Sequence, residues 1–117
     1  MKLIKSLLTI LFISLLSSPS WSQTMDDLVE RNNLYYEKFT NVPFTGKVTG
    51  RWKGSFKNGK KEGDWVWYYG NGQLSYIGNY KNGIKEGVWV SYNEDGTLDN
   101  THSGTWKNNT FTPTRPP

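Results

Sequence analysis

The sequence predicts an all-β protein, an antiparallel meander of β-hairpin repeats forming a single twisted sheet. Three observations carry that prediction. All 12 glycines fall between Gly46 and Gly104. Aromatic residues make up 15% of the chain. A pattern of turns and strands recurs after 24 residues. Glycine permits sharp turns, and large flat side chains between the turns favour pleated strands.

The repeat fixes the order of elements. Gly54-Ser-Phe-Lys-Asn-Gly-Lys-Lys-Glu-Gly-Asp-Trp-Val-Trp-Tyr opens one unit, and Gly78-Asn-Tyr-Lys-Asn-Gly-Ile-Lys-Glu-Gly-Val-Trp-Val-Ser-Tyr opens the next. The offset places Phe56 on Tyr80, Gly59 on Gly83, Glu62-Gly63 on Glu86-Gly87, Trp65 on Trp89 and Tyr68 on Tyr92. Gly72 falls on Gly96 and Leu74 on Leu98. A third unit starts at Gly104-Thr-Trp106 after a two-residue slip and then fades. Its Asn108-Asn109 lacks the turn glycine, so residues 109–117 are expected to be a disordered tail.

Each unit reads as two strands and two turns. Asn-Gly is the strongest short hairpin signal because both residues tolerate positive φ. It occurs at Asn58-Gly59, Asn71-Gly72 and Asn82-Gly83, with Asp95-Gly96 a close relative. The stretches Trp65–Tyr69, Leu74–Tyr80 and Val88–Tyr92 are the strands between them. Turns this close together leave no room for helices, so each strand is expected to pair with the next, in about six to eight strands overall.

Alternation along a strand sorts the side chains by face. Trp65, Trp67 and Tyr69 share one face with Trp89, and Val66 and Tyr68 share the other with Val90 and Tyr92. Burying one Trp removes about 200 Å² from water, worth at most about 5 kcal/mol. The Trp face is therefore the expected core. Gly59, Gly63, Trp65, Gly83, Gly87 and Trp89 are its repeated structural positions. Val66, Tyr68, Val90 and Tyr92 form the candidate binding surface, since an exposed tyrosine recurring with the repeat suits a contact face.

The run from Asn58 through Leu74 resembles the MORN-repeat variant of many bacterial proteins, the YwqK-like family often labelled antitoxin components. Leu28-Val-Glu-Arg-Asn-Asn-Leu-Tyr-Tyr and Val42-Pro-Phe-Thr-Gly46 resemble the lead-in that precedes such repeats. The resemblance covers about residues 27 to 108 and implies a hairpin-repeat sheet. It implies scaffolding or membrane-proximal assembly in general terms, and no catalytic residue. With two full units, the flanking segments are expected to act as caps. Trp-Val-Trp-Tyr-Tyr also resembles the choline- and wall-binding repeats of surface proteins, where aromatics cage a ligand. Those repeats are shorter, and Asn-Gly-x-Lys-Glu-Gly fits the MORN variant better.

The N-terminus reads as an address. Lys2 and Lys5 precede an apolar run from Ser6 to Leu16, then Ser17-Ser-Pro-Ser-Trp-Ser22. A basic start, a short apolar run and small residues at Ser20 and Ser22 are the features of a cleaved secretory leader. The run is shorter than the roughly 20 residues that span a membrane. There is no cysteine, which excludes disulfides, thiolate zinc sites and a lipid-modified N-terminal cysteine. The formal charge of +4 falls to +2 without Lys2 and Lys5, with 12 basic against 10 acidic residues. That is too weak for a nucleic-acid binder.

Other chemical signals are slight. Gly54 to Lys61 nearly fits a phosphate-binding loop, but Lys61 stands where the Mg²⁺-binding hydroxyl belongs, and a turn explains both copies. His102 is the only histidine and is expected in an exposed loop. Glu62 and Glu86 each precede an expected turn glycine, Gly63 and Gly87, beside Lys60, Lys61 or Lys85, which suggests turn-edge ion pairs rather than a carboxylate pair for hydrolysis. Arg51, Lys53, Lys57, Lys60 and Lys61 form a basic stretch that would either shield exposed strand edges or touch an anionic lipid or glycan.

The domain organisation expected is a signal peptide at 1–22, a capping lead-in at 23–53, repeats at 54–108 and the tail at 109–117. The function expected is non-catalytic: a protein-interaction or scaffolding module in the periplasm or outside the cell. A wall-glycan or lipid-headgroup binder and an antitoxin-like neutraliser are the alternatives. No enzyme activity, cofactor or metal is expected. Mass spectrometry of the envelope fraction should find a soluble chain beginning at Gln23, and full-length chain in the membrane would refute the leader.

Overall fold

Asn-Gly turns and aromatic strands generate the fold directly. A computed structural model describes residues 23–115, so the leader expected at 1–22 and the last two residues lie outside the described part. The strands are β1 (Gln23–Thr24), β2 (Leu28–Arg31), β3 (Leu34–Glu37), β4 (Gly46–Thr49), β5 (Trp52–Lys57), β6 (Lys60–Tyr68), β7 (Leu74–Lys81), β8 (Ile84–Tyr92), β9 (Leu98–Lys107) and β10 (Thr110–Pro113). A single 3-10 turn, Met25–Asp27, follows β1. The chain is all-β and mostly antiparallel: β4 to β10 pair each with the next, and β1 joins β4 in parallel.

The turns are of two kinds, alternating along the meander. At Asn58-Gly59 and Asn82-Gly83 both residues have positive φ, 50° and 81° in the first and 54° and 83° in the second. That is the two-residue hairpin whose twist matches the sheet. At Asn71-Gly72 and Asp95-Gly96 only the glycine is left-handed, at 85° and 89°. There Tyr69 N–H donates to Gln73 and Gly72 N–H to Tyr69, at 2.8 and 3.0 Å. The longer loop needs a single left-handed residue. Both loops stack on their neighbours: Tyr69 Oη donates to the Tyr92 carbonyl at 2.7 Å, and Asn71 Nδ2 to the Glu94 carbonyl at 3.0 Å.

Three expectations need correction. Gly63 and Gly87 are not turn residues. They sit inside β6 and β8 with φ of 78° and 76°, beside shifts of register against β5 and β7. The strands therefore run straight through Glu-Gly and begin at Lys60 and Ile84, earlier than aromatic content indicated. A left-handed glycine at a bulge bends a strand without ending it.

The tail is the second correction. Asn108 and Asn109 adopt φ of 51° and 63°, so asparagine makes the turn without glycine. Thr110–Pro113 then pairs with Lys107 back to Gly104 as β10. Third, the sheet is not single. β2 and β3 form their own hairpin through Asn32-Asn33, also left-handed. This hairpin docks on the β5–β6 turn, where Tyr35 N–H donates to Gly59 at 2.9 Å and Gly59 N–H to Phe44 at 2.7 Å. The strand that carries Gly54, β5, starts at Trp52.

The core lies on one face of the sheet and consists of Leu28, Phe44, Val48, Phe56, Trp65, Tyr80 and Trp89. Trp65 and Trp89 are 1% and 3% exposed. Each indole lies flat on a repeated glycine, since a Cβ built at Gly54 would overlap the Trp65 ring and one at Gly78 the Trp89 ring. At Gly104 the space is taken by the backbone of Thr112 and Pro113 in β10, which ends the series.

Gly83→Val should destabilise the protein by at least about 1 kcal/mol, because valine is strained at positive φ. The site is otherwise roomy, with the nearest neighbour, Lys60 Cβ, at 3.5 Å from an added Cβ. A thermal melt measures this, and an unchanged midpoint would contradict the turn.

Candidate functional site

The two faces of the sheet carry different chemistry. On the core face, repeated aromatics meet edge to face. Phe56 and Trp65 are 5.1 Å apart at 84°, Trp65 and Tyr80 6.1 Å at 81°, and Tyr80 and Trp89 5.1 Å at 86°. This arrangement sets positive ring edges against negative faces. The Trp65 indole N–H donates to the Ser55 carbonyl at 3.0 Å, whereas the equivalent Trp89 N–H has no partner among the described residues.

Over these rings lie two lysines that the sequence reading missed as a pair. Lys61 Nζ stands 5.0 Å from the centres of Trp52 and Trp65 and 5.1 Å from Tyr80. Lys85 Nζ stands 4.9 Å from Trp89, 5.2 Å from Trp106 and 5.9 Å from Tyr76. Each ammonium is thus surrounded by three aromatic faces within cation–π range. The repeat offset already relates Lys61 to Lys85, Trp52 to Tyr76 and Trp65 to Trp89. With the two-residue slip it also relates Tyr80 to Trp106.

The electrostatics follow burial. Desolvation holds the Lys61 ammonium below its usual range, the Lys85 charge lowers it further, and Glu30 opposes both. Burial pushes the Tyr76 phenol up to about 12, with Tyr80 adding to it. Tyr80 and Tyr35 are raised by burial as well, Tyr80 next by Tyr35 and Tyr35 next by Glu30. All three phenols stay neutral over the physiological range.

The two cages differ in cover. Glu30, Asn33 and Tyr35 of the β2–β3 hairpin border the same hollow as Lys61 and Tyr80. The Lys85 cage opens instead into a groove of about 290 Å³ lined by Tyr76, Trp89, His102, Trp106 and Phe111.

On the opposite face, Val66 pairs with Ile77 and Ile77 with Val90 across β6, β7 and β8. Paired residues project on the same side, so the three form one aliphatic row. Tyr68 and Tyr92 follow Val66 and Val90 by alternation on this face, and pair with Leu74 and Leu98 beyond shifts of register. Val66, Tyr68, Val90 and Tyr92 are half-buried, while Ile77 and Leu98 are 38% and 50% exposed. The structure thus brings the four predicted surface residues together and adds Ile77 between them. No repeat offset relates Ile77 to a second hydrocarbon, because Lys53 and Thr101 stand 24 residues to either side, so only register reveals it.

The remaining signals resolve differently. Gly54 to Lys61 is strand, turn and strand, as a turn requires. Glu62 makes no ion pair within 4.0 Å; the one acid–base contact of that length among the described residues is between His102 and Asp99. Glu62 instead accepts the Asn82 N–H at 2.8 Å, tying one repeat to the turn of the next. The basic stretch does not guard an edge, because β5 and β6 are interior strands. Arg51 and Lys53 lie over Trp67 and Tyr68, each at 5.6 Å. His102 is exposed as expected but sits in β9 rather than in a loop, with Nδ1 held by Asp99 at 2.8 Å.

No protein-family model, curated protein or solved structure matches the chain.

Proposed function

We propose that the chain is a non-catalytic interaction module that docks a protein partner on the outer face of its sheet. The observation that carries this is the in-register row Val66–Ile77–Val90, flanked by Tyr68 and Tyr92. Hydrocarbon collected on one side of a sheet, with its own core on the other, marks a contact surface. Half-buried tyrosines contribute large area at low entropic cost and a hydroxyl at the rim. The likeness to MORN-variant repeats points to the same class of scaffolding role. The leader-like N-terminus supports action in the periplasm or outside the cell.

The test pairs folding with capture. Tyr68→Ser with Tyr92→Ser should cost under about 2 kcal/mol of stability and abolish retention of a partner from envelope extract. Trp89→Ala, on the core face, should cost about 3–5 kcal/mol. Melts beside the pull-down decide it: a double tyrosine variant that unfolds as readily as Trp89→Ala would make the tyrosines core residues and remove the surface.

A further inference from the structure

The Lys85 cage is built like the Lys61 cage but lacks its cover. At Lys61 the β2–β3 hairpin stands beside the cage, bringing the Tyr35 ring to 4.9 Å from Phe56 and Glu30 to the hollow that Lys61 and Tyr80 line. A carboxylate beside an aromatic ring therefore borders that cage. Neither lysine has a carboxylate within 4.0 Å among the described residues, but Glu30 lines the hollow at Lys61 and no carboxylate lines the groove at Lys85. The groove there keeps aromatic walls, with Trp106 and Phe111 5.3 Å apart on one side and Tyr76 and Trp89 5.6 Å apart on the other. Its volume of about 290 Å³ is at the small end of ligand sites.

We propose that this groove binds a carboxylate-bearing sugar, its ring against the aromatic walls and its carboxylate on Lys85. A pyranose presents C–H faces that pack on flat rings and hydroxyls that stay at the wet rim. A carboxylate is the counter-charge that a lysine lacking an acidic neighbour accepts, through a charge-assisted hydrogen bond. His102 borders the groove with Nδ1 already tied to Asp99, so any ligand contact falls to Nε2. An acidic peptide fits less well. The groove is on a sheet face, where a peptide backbone would meet aromatic rings in place of hydrogen-bond partners. The nearest edge strand, β10, ends at Pro113, which cannot donate to an added strand. This site lies on the opposite face from the Val66–Ile77–Val90 row and does not depend on the docking proposed there.

Titration calorimetry of the purified protein with trigalacturonate, maltotriose and triglutamate tests the assignment. Trigalacturonate should bind, and the neutral sugar and the peptide should bind at least about tenfold more weakly. Lys85→Met should weaken trigalacturonate at least about tenfold, while Lys61→Met, at the covered cage, leaves it unchanged. If Lys85→Met fails to fold, Phe111→Ala at the rim gives the same reading and must also weaken binding. No binding of trigalacturonate, equal binding of maltotriose, preference for triglutamate, or unchanged affinity in the folded groove variants would each overturn the proposal.

Discussion

The structure depends on an indole ring lying flat on a glycine. Gly54 and Gly78 leave the space that Trp65 and Trp89 fill, one repeat apart. A sheet with one apolar face has little to bury it against unless its own side chains lie down. Laying two indoles across the neighbouring strand covers that face without a second layer. Much else follows from this placement. The T-shaped series from Phe56 to Trp89 depends on where the indoles rest. So do the two cages, because Lys61 and Lys85 find three rings each only when Trp65 and Trp89 are recumbent.

The same packing separates the faces. With the indoles, Tyr76, Tyr80 and the two caged lysines on one side, alternation sends Val66, Ile77 and Val90 to the other. The core face is finished at its N-terminal end, where Leu28, Phe44 and Tyr35 cover Phe56. At the C-terminal end the β10 backbone replaces a third indole, and the Lys85 cage remains open. The ends of the array thus differ chemically, although the repeats between them are alike.

Much of the fold was legible because its signals are local. Asn58-Gly59 and Asn82-Gly83 encode the hairpins, and period-two alternation places Trp65 and Trp89 on the core face. Other features depend on information that local patterns do not carry. Glu62-Gly63 resembles a turn, but a left-handed glycine serves a bulge equally well, and the pairing with β5 and β7 decides between them. Asn108-Asn109 turns without glycine because asparagine also tolerates the left-handed region. The β2–β3 hairpin leaves the main sheet because its hydrogen bonds go to the Gly59 turn, a long-range choice. Of the candidate surface, Val66, Tyr68, Val90 and Tyr92 followed from alternation. Ile77 required the register, and the lysine cages required the indoles to be placed first.

The central claim can be separated from ordinary glycine effects. Gly54 and Gly78 do not have positive φ, so the backbone at these positions does not demand glycine. Replacing such a glycine with alanine ordinarily stabilises a protein by about 0.4–1 kcal/mol, by restricting the unfolded chain. The recumbent indoles reverse the sign. Thermal melts with near-ultraviolet circular dichroism of Gly54→Ala and Gly78→Ala measure it most directly. The account predicts that each loses about 1–3 kcal/mol by overpacking, together with a weakened tryptophan signal. A midpoint that stays the same or rises in both variants would contradict it.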